Sequence, residues 1–260
     1  MEVIIRPVEE LGALGGHLIA TAVETKPDAV IGVATGSSPL GVYDDLGRRV
    51  DAGELSLAGC TAFMLDEYVG LPEGHPERYR TVIDRDFVSK VDIDPADVHG
   101  PDGLADDIPA ACAAYEEAIR DAGGVDVQIL GVGTDGHIAF NEPASSLASR
   151  TRIKTLTAQT RRDNARFFGG DVDAVPRHCL TQGIATIMEA RHILLVAIGT
   201  AKSEAVAHLV EGPISGMWPV TALQMHPHVT VLLDPEAASR LQLADYFREV
   251  YDGKPVWEGF

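Results

Sequence analysis

Cysteine is scarce in this 260-residue chain: Cys60, Cys112 and Cys179 are odd in number, widely separated and outside any CxxC spacing. That excludes a disulfide framework or a cysteine zinc site and reads the thiols as reduced packing residues. Basic residues are in deficit as well. Lys and Arg number 21 against 39 Asp and Glu, a net charge of −18, which opposes nonspecific binding to nucleic acid or to anionic membranes. Any small anionic substrate must then be held by a local group of the few cations. Long hydrophobic runs are missing too. The stretch 193–198 is far below the roughly 18 residues needed to cross a bilayer, and the opening MEVIIRPVEEL lacks a secretory apolar region. A soluble, cytoplasmic protein is predicted. No Pro/Ser-rich linker, internal repeat or low-complexity segment divides the chain, so one domain over 1–260 is expected, and 45% hydrophobic residues suffice for its core.

What is present is an alternation of short apolar runs with helical patterns. Leu11, Leu14, Leu18 and Ala22 recur at helical spacing over 8–24, and Pro27 follows to end that helix. Residues 29–34 (AVIGVA), 60–65 (CTAFML), 125–132, 192–198 (HILLVAI) and 229–233 read as buried strands. Helices are predicted over 40–50, 108–121, 180–189 and from 199 to about 211, with another starting at 75–79. This order predicts an α/β fold in which helices flank a mostly parallel, Rossmann-like sheet built by right-handed crossovers. Residues 91–106 read as a long connection and 152–154 as an edge strand. The polar, Arg-rich, Gly-Gly-interrupted segment 156–179 suits a mobile lid over an active site.

Chemistry concentrates after the 125–132 strand. Gly131 and Gly133 close it, and Asp135, His137 and Glu142 follow within eight residues, at the carboxyl end of a strand, where open α/β sheets place their ligands. Histidine titrates near neutral pH and carboxylates fix its tautomer, so the trio suits a proton relay. An isolated Asp-Gly-His would as readily be a capped turn beside a satisfied imidazole. The longer block is more specific: DGHIAFNEP from Asp135 to Pro143, with its continuation SSLASRTRIK, resembles the glucosamine-6-phosphate deaminase family. Leu65-Asp66-Glu67-Tyr68-Val69-Gly70-Leu71, at the end of the 60–65 strand, resembles the same family, as does WPVTALQMH from Trp218 to His226.

The resemblance runs from the first helix to about Ala238 and implies conversion of glucosamine 6-phosphate and water to fructose 6-phosphate and ammonia, without metal or organic cofactor. It implies that Asp66 moves a proton between sugar carbons, Glu67 being structural, and that His137 assists ring opening, oriented by Asp135 and Glu142. Thr35-Gly36-Ser37-Ser38 before Pro39 fits a strand–loop–helix phosphate site, although Ser before Pro is equally an ordinary helix cap. Lys202 lies in a first helical turn, an unfavourable place for a cation unless an anion meets it. Arg166, beside Phe167 and Phe168, reads either as a packed surface turn or as a bidentate oxyanion ligand. The family makes the loop, Arg166 and Lys202 the phosphate site.

Family resemblance further implies an activator site for N-acetylglucosamine 6-phosphate at the subunit interface of a homo-oligomer, a hexamer in some members. Ser145, Arg152 and Lys154 match it, with Tyr246 a candidate fourth contact; alternation alone would make Arg152 and Lys154 the solvent side of an edge strand. Two other classes stay open. A 6-phosphogluconolactonase-like hydrolase would not be expected to keep both the LDEYVGL and DGHIAFNEP blocks. A noncatalytic sugar-phosphate sensor usually carries a DNA-binding segment, for which this chain has neither room nor basic charge.

Overall fold

Apolar runs of four to six residues become strands, and their burial on both faces makes the sheet a parallel one covered by helices. The computed structural model describes residues 1–255 and 258–259. In chain order the first half contains β1 (Glu2–Ile5), α1 (Val8–Thr25), β2 (Val30–Val33), α2 (Leu40–Asp51), β3 (Thr61–Met64), β4 (Asp66–Tyr68), α3 (Tyr79–Asp86), β5 (Val98–His99), α4 (Ile108–Asp121) and β6 (Val127–Leu130). The second half contains β7 (Arg152–Thr155), α5 (Ala158–Asn164), β8 (His178–Thr181), α6 (Ile184–Ile187), β9 (His192–Ala197), α7 (Ser203–Glu211), β10 (Val229–Leu233) and α8 (Ala244–Asp252). Among the described residues, no helix is long and apolar enough to cross a membrane.

Seven strands form the main sheet in the order β1-β10-β9-β6-β2-β3-β5, all parallel. From β2 the chain extends outward through β3 to β5; from β6 it extends the other way through β9 and β10, which pairs with β1. The reversal between β2 and β6 opens a crevice at their carboxyl ends, the place where such sheets bind ligands. Alternate residues of each strand serve two cores. Ile31, Val127, Ile129 and Leu194 pack with α1 and α2, whereas Val30, Leu130, Leu195 and Val231 pack with α4 and α7.

A second sheet, β4-β8-β7, is antiparallel and was not foreseen. It corrects the helix expected over 180–189: Leu180 and Thr181 finish β8, and only α6 is helical there. β8 is paired on both sides, so its ladder bonds decide the conformation where local pattern suggested a helix. Segment 156–179 is likewise no plain loop, since it holds α5, the short 3-10 turn Ala165–Phe168 and the start of β8. Its Leu156, Ala165, Val175 and Cys179 share a small buried cluster with Tyr68 and Phe140. β1, β5 and α8 were also missed. The first two are short, and their pairing with β10 and β3 fixes them.

Candidate functional site

The loop after β6 is shaped by close contacts. A β-carbon on Gly131 would lie 3.1 Å from Ser38 Oγ, so the end of β6 sits directly against the loop that follows β2. A β-carbon on Gly133 would lie 2.2 Å from the His137 ring, which folds back over that glycine. Gly136 adopts φ +80° with Trp218 behind it, a combination that only glycine meets without strain. Ala139 is held at φ 50°, a position uncommon for a residue with a β-carbon. What enforces it is the fixing of the loop's far side. Phe140 N donates to Thr181 Oγ1 at 3.2 Å, and the buried Asn141 Nδ2 donates to Ile138 O at 3.0 Å and Gln182 O at 2.9 Å.

Those restraints bring Asp135, His137 and Glu142 together as the motif predicted. Asp135 Oδ1 lies 2.7 Å from His137 Nδ1 and also accepts the His137 backbone N–H at 3.2 Å. A carboxylate facing Nδ1 places the proton there and leaves Nε2 as the nitrogen that can exchange a proton with a ligand. Glu142 Oε2 lies 4.0 Å from the same Nδ1, and Glu142 Oε1 accepts from Thr160 Oγ1 at 3.0 Å. Burial pushes the Asp135 carboxyl up, but the hydrogen bond and charge of His137 outweigh it and hold Asp135 well below the usual range. Burial raises Glu142, helped by Asp135 and opposed by His137 and Thr160. One donor atom from each of the three lies within 4.8 Å of the others, a spacing that would also admit a divalent ion. His137 Nδ1, however, already serves the bond to Asp135.

Asp66 comes to this loop from the other sheet. It pairs with Thr181 in the β4–β8 ladder, and the Thr181 hydroxyl is the acceptor for Phe140 N, so one residue touches both the Asp66 strand and the relay loop. Burial, reinforced by Glu67, pushes the Asp66 carboxyl up to about 8. Glu67 instead organises backbone. Its carboxylate accepts from the N–H groups of Tyr68, Tyr79 and Arg80 at 2.8, 2.9 and 2.9 Å, the last two opening α3.

The loop Thr35–Gly36–Ser37–Ser38 leads from β2 into α2, with Gly36 at φ +93°. Pro39 occupies the cap position and no side chain caps the helix, so the ordinary-cap reading of these serines does not hold; in the first turn the Leu40 N–H donates to Ser37 O at 3.4 Å. Lys202, at the end of the 3-10 turn that precedes α7, is half-buried: burial lowers its pKa, Asp135 opposes that, and Arg166 adds to it. Lys202 and Arg166 are therefore close enough to repel one another, beside the relay. The Arg166 guanidinium also lies 4.7 Å over the Phe167 ring.

A sequence model of the glucosamine-6-phosphate isomerases/6-phosphogluconolactonase family matches residues 8–232. The chain belongs to that family. It is 69% identical over 260 residues to a glucosamine-6-phosphate deaminase of Mycolicibacterium smegmatis, covering 100% of both chains. Among solved structures, a monomeric glucosamine-6-phosphate deaminase is 43% identical with a TM-score of 0.88, over 92% of this chain and 99% of that one. The 6-phosphogluconolactonase from Trypanosoma cruzi shares the fold at TM-score 0.71 and 20% identity, over 93% of this chain and 97% of that one.

The cations of β7, expected on the solvent side of an edge strand, are oriented otherwise. Along β7 the exposed residues are Ile153 and Thr155, while Arg152 and Lys154 are the partly buried ones, so the solvent-side reading of these cations is reversed. Arg152 pairs with Thr181 and Lys154 with Cys179, the same β8 residues that face Asp66 and Tyr68. Ser145 is buried and its Oγ has no hydrogen-bond partner. Tyr246 lies elsewhere: α8 packs on β1, and Tyr246 is 57% exposed and meets Phe247 edge-on. Among the described residues, no hydrogen bond or ring contact joins it to the other three. Sequence reading missed Thr160, Thr181 and Trp218, whose contacts reach across 18 or more residues.

Proposed function

We propose that this chain converts glucosamine 6-phosphate and water to fructose 6-phosphate and ammonia, as a cytoplasmic enzyme. The observation that carries the reading is Thr181, which joins a buried, high-pKa Asp66 to the loop bearing an Asp135–His137 hydrogen bond. The phosphate is held by Thr35, Gly36, Ser37 and Ser38 at the α2 N-terminus together with Arg166 and Lys202, charge-assisted contacts that suit an oxyanion. His137, oriented by Asp135 and Glu142, exchanges a proton with the ring oxygen and opens the pyranose. Asp66 removes the C2 proton and returns it to C1 through an enolamine; water then adds at C2 and the amine leaves as ammonia. Burial makes Asp66 favour its neutral form at neutral pH, and the ammonium of an arriving amino sugar stabilises the carboxylate, so substrate charge readies the base. Residues 156–179, which carry Arg166, act as the lid.

The test is incubation with glucosamine 6-phosphate while ammonia and fructose 6-phosphate are followed together. Equal amounts of both are expected. Hydrolysis of 6-phosphogluconolactone with no ammonia from the amino sugar would overturn the reading in favour of the family's other activity.

The inward cations support a second, regulatory site in the same proposal. One unpartnered hydroxyl, on Ser145, and two partly buried cations, Arg152 and Lys154, are the residue types that would suit N-acetylglucosamine 6-phosphate. Tyr246, exposed on α8, contributes across a subunit boundary in a homo-oligomer, a hexamer in this reading.

A further inference from the structure

Glu142 is the least exposed member of the relay, at 16% against 35% for His137 and 42% for Asp135, and part of its hydrogen bonding comes from outside its own loop. Its Oε1 accepts from Thr160 Oγ1, which belongs to α5. Thr157, the N-cap of that helix, accepts the Thr160 backbone N–H at 3.0 Å, and the two hydroxyl oxygens lie 2.8 Å apart. A carboxylate can only accept, so Thr160 must donate to Glu142. The Thr160 oxygen is then free to accept the Thr157 proton, and the chain of hydroxyls runs in one direction toward Glu142. Farther along the segment, Asn164 Nδ2 donates to the Tyr68 hydroxyl at 2.8 Å, and Arg166 follows in the next turn. One short segment thus touches Glu142, touches the strand that carries Asp66, and bears a phosphate ligand.

We propose that Thr160 is a positioning residue whose hydroxyl sets the Glu142 carboxylate in the relay only while α5 is seated, so that phosphate captured by Arg166 fixes the geometry of proton transfer. This rests on the deaminase reading and deepens it. Binding energy from a part of the substrate that does not react is thereby used at the reacting centre, the condition for raising kcat as well as affinity. The groups facing Glu142 are Asp135 and His137 from its own loop, Thr160 from α5 and the Cys179 thiol from β8. Of these described groups, Thr160 is the one on α5, the helix that runs directly into the turn bearing Arg166. The Thr160 bond favours the charged form of Glu142, so its removal raises the Glu142 pKa and the carboxylate is lost at a higher pH.

The experiment compares wild type, Thr160→Val and Thr160→Ser. Valine keeps the branched shape without the hydroxyl; serine keeps the hydroxyl. In Thr160→Val, kcat should fall about ten-fold, the loss expected for one hydrogen bond to a charged group. The acidic limb of kcat against pH should move to higher pH, KM should hold within about two-fold, and Thr160→Ser should restore both kcat and the limb. A helix-stability role would lower the melting temperature but leave the limb in place, and that result overturns the proposal; so does a serine variant as impaired as the valine one. A readout independent of turnover is the carbon-13 titration of the Glu142 carboxyl, identified by its loss in Glu142→Gln. Its midpoint should be higher in Thr160→Val than in wild type even if the substrate proves to be another sugar phosphate. An unchanged midpoint rejects the proposal, whereas absence of ammonia release in the wild type rejects the deaminase reading alone. Should Thr160→Val fail to fold, Thr160→Ala carries the same expectation.

Discussion

At the scale of single residues, Asp66 carries the sharpest consequence, because burial raises its carboxyl to about 8 while the unfolded chain would hold it near 3.8. The sign follows from linkage: the neutral form is favoured in the folded state, so the stability this residue contributes is complete below about pH 4 and is lost as pH rises through about 8. Asp66→Asn removes the ionisation and keeps the shape. Turnover should drop by at least about a hundred-fold, as expected for loss of a general base, while the melting temperature at pH 9 should rise relative to wild type. A gain of about 1 kcal/mol would appear as roughly 3 °C for a chain of this size. Kinetics and thermal melts at about pH 5 and pH 9 check this: near-normal kcat would show that Asp66 is not the base, and a variant-minus-wild-type melting difference equal at both values would show that burial does not oppose its ionisation.

Among the elements, the three-stranded sheet is the unit that assembles the site. Its rows Asp66–Thr181–Arg152 and Tyr68–Cys179–Lys154 run across β4, β8 and β7, so residues separated by more than 80 positions share one face. α5 and the following 3-10 turn close over that sheet through Asn164 and Tyr68, carrying Arg166 toward Lys202. Phosphate contacts made equally in the ground and transition states should appear in KM. Lys202→Ala is expected to raise KM about ten- to a hundred-fold with a smaller effect on kcat, whereas Arg166→Ala should raise KM as far and lower kcat as well, because its capture of phosphate seats α5; both should weaken inhibition by inorganic phosphate. Steady-state kinetics with added phosphate decide it. An unchanged KM in both variants would move the anion elsewhere.

For the whole molecule, a net charge of −18 surrounds the phosphate site proposed. On that proposal attraction is local, supplied by Arg166, Lys202 and the α2 N-terminus, and the partly buried cations of β7 form a separate positive spot. In the oligomer proposed, substrate dependence should be sigmoidal and become hyperbolic on adding N-acetylglucosamine 6-phosphate, as expected of an effector that prefers the active state. Arg152→Ala should abolish that response without lowering turnover at saturating substrate. Sedimentation together with kinetics provides the check. A monomer with hyperbolic kinetics and no effector binding would leave Arg152 and Lys154 as structural charges.

The alternating order of strands and helices, the bounds of α4 and β10 and the local gathering of Asp135, His137 and Glu142 were all legible in the sequence. Each rests on short-range periodicity or on residues a turn apart, and these act before any distant part of the chain is in place. The sequence alone also yielded the family, because long motifs of mixed polar and apolar residues rarely recur by chance. Only the tertiary structure decided the rest. β1 and β5 are too short to show a pattern and exist through their neighbours. Leu180 and Thr181 are strand because two partners claim their backbone groups. The inward turn of Arg152 and Lys154, and the hydroxyl that Thr160 offers Glu142, depend on which face a strand or helix presents to another. Local periodicity gives spacing along an element, but which side faces inward is set by the packing of elements distant in sequence.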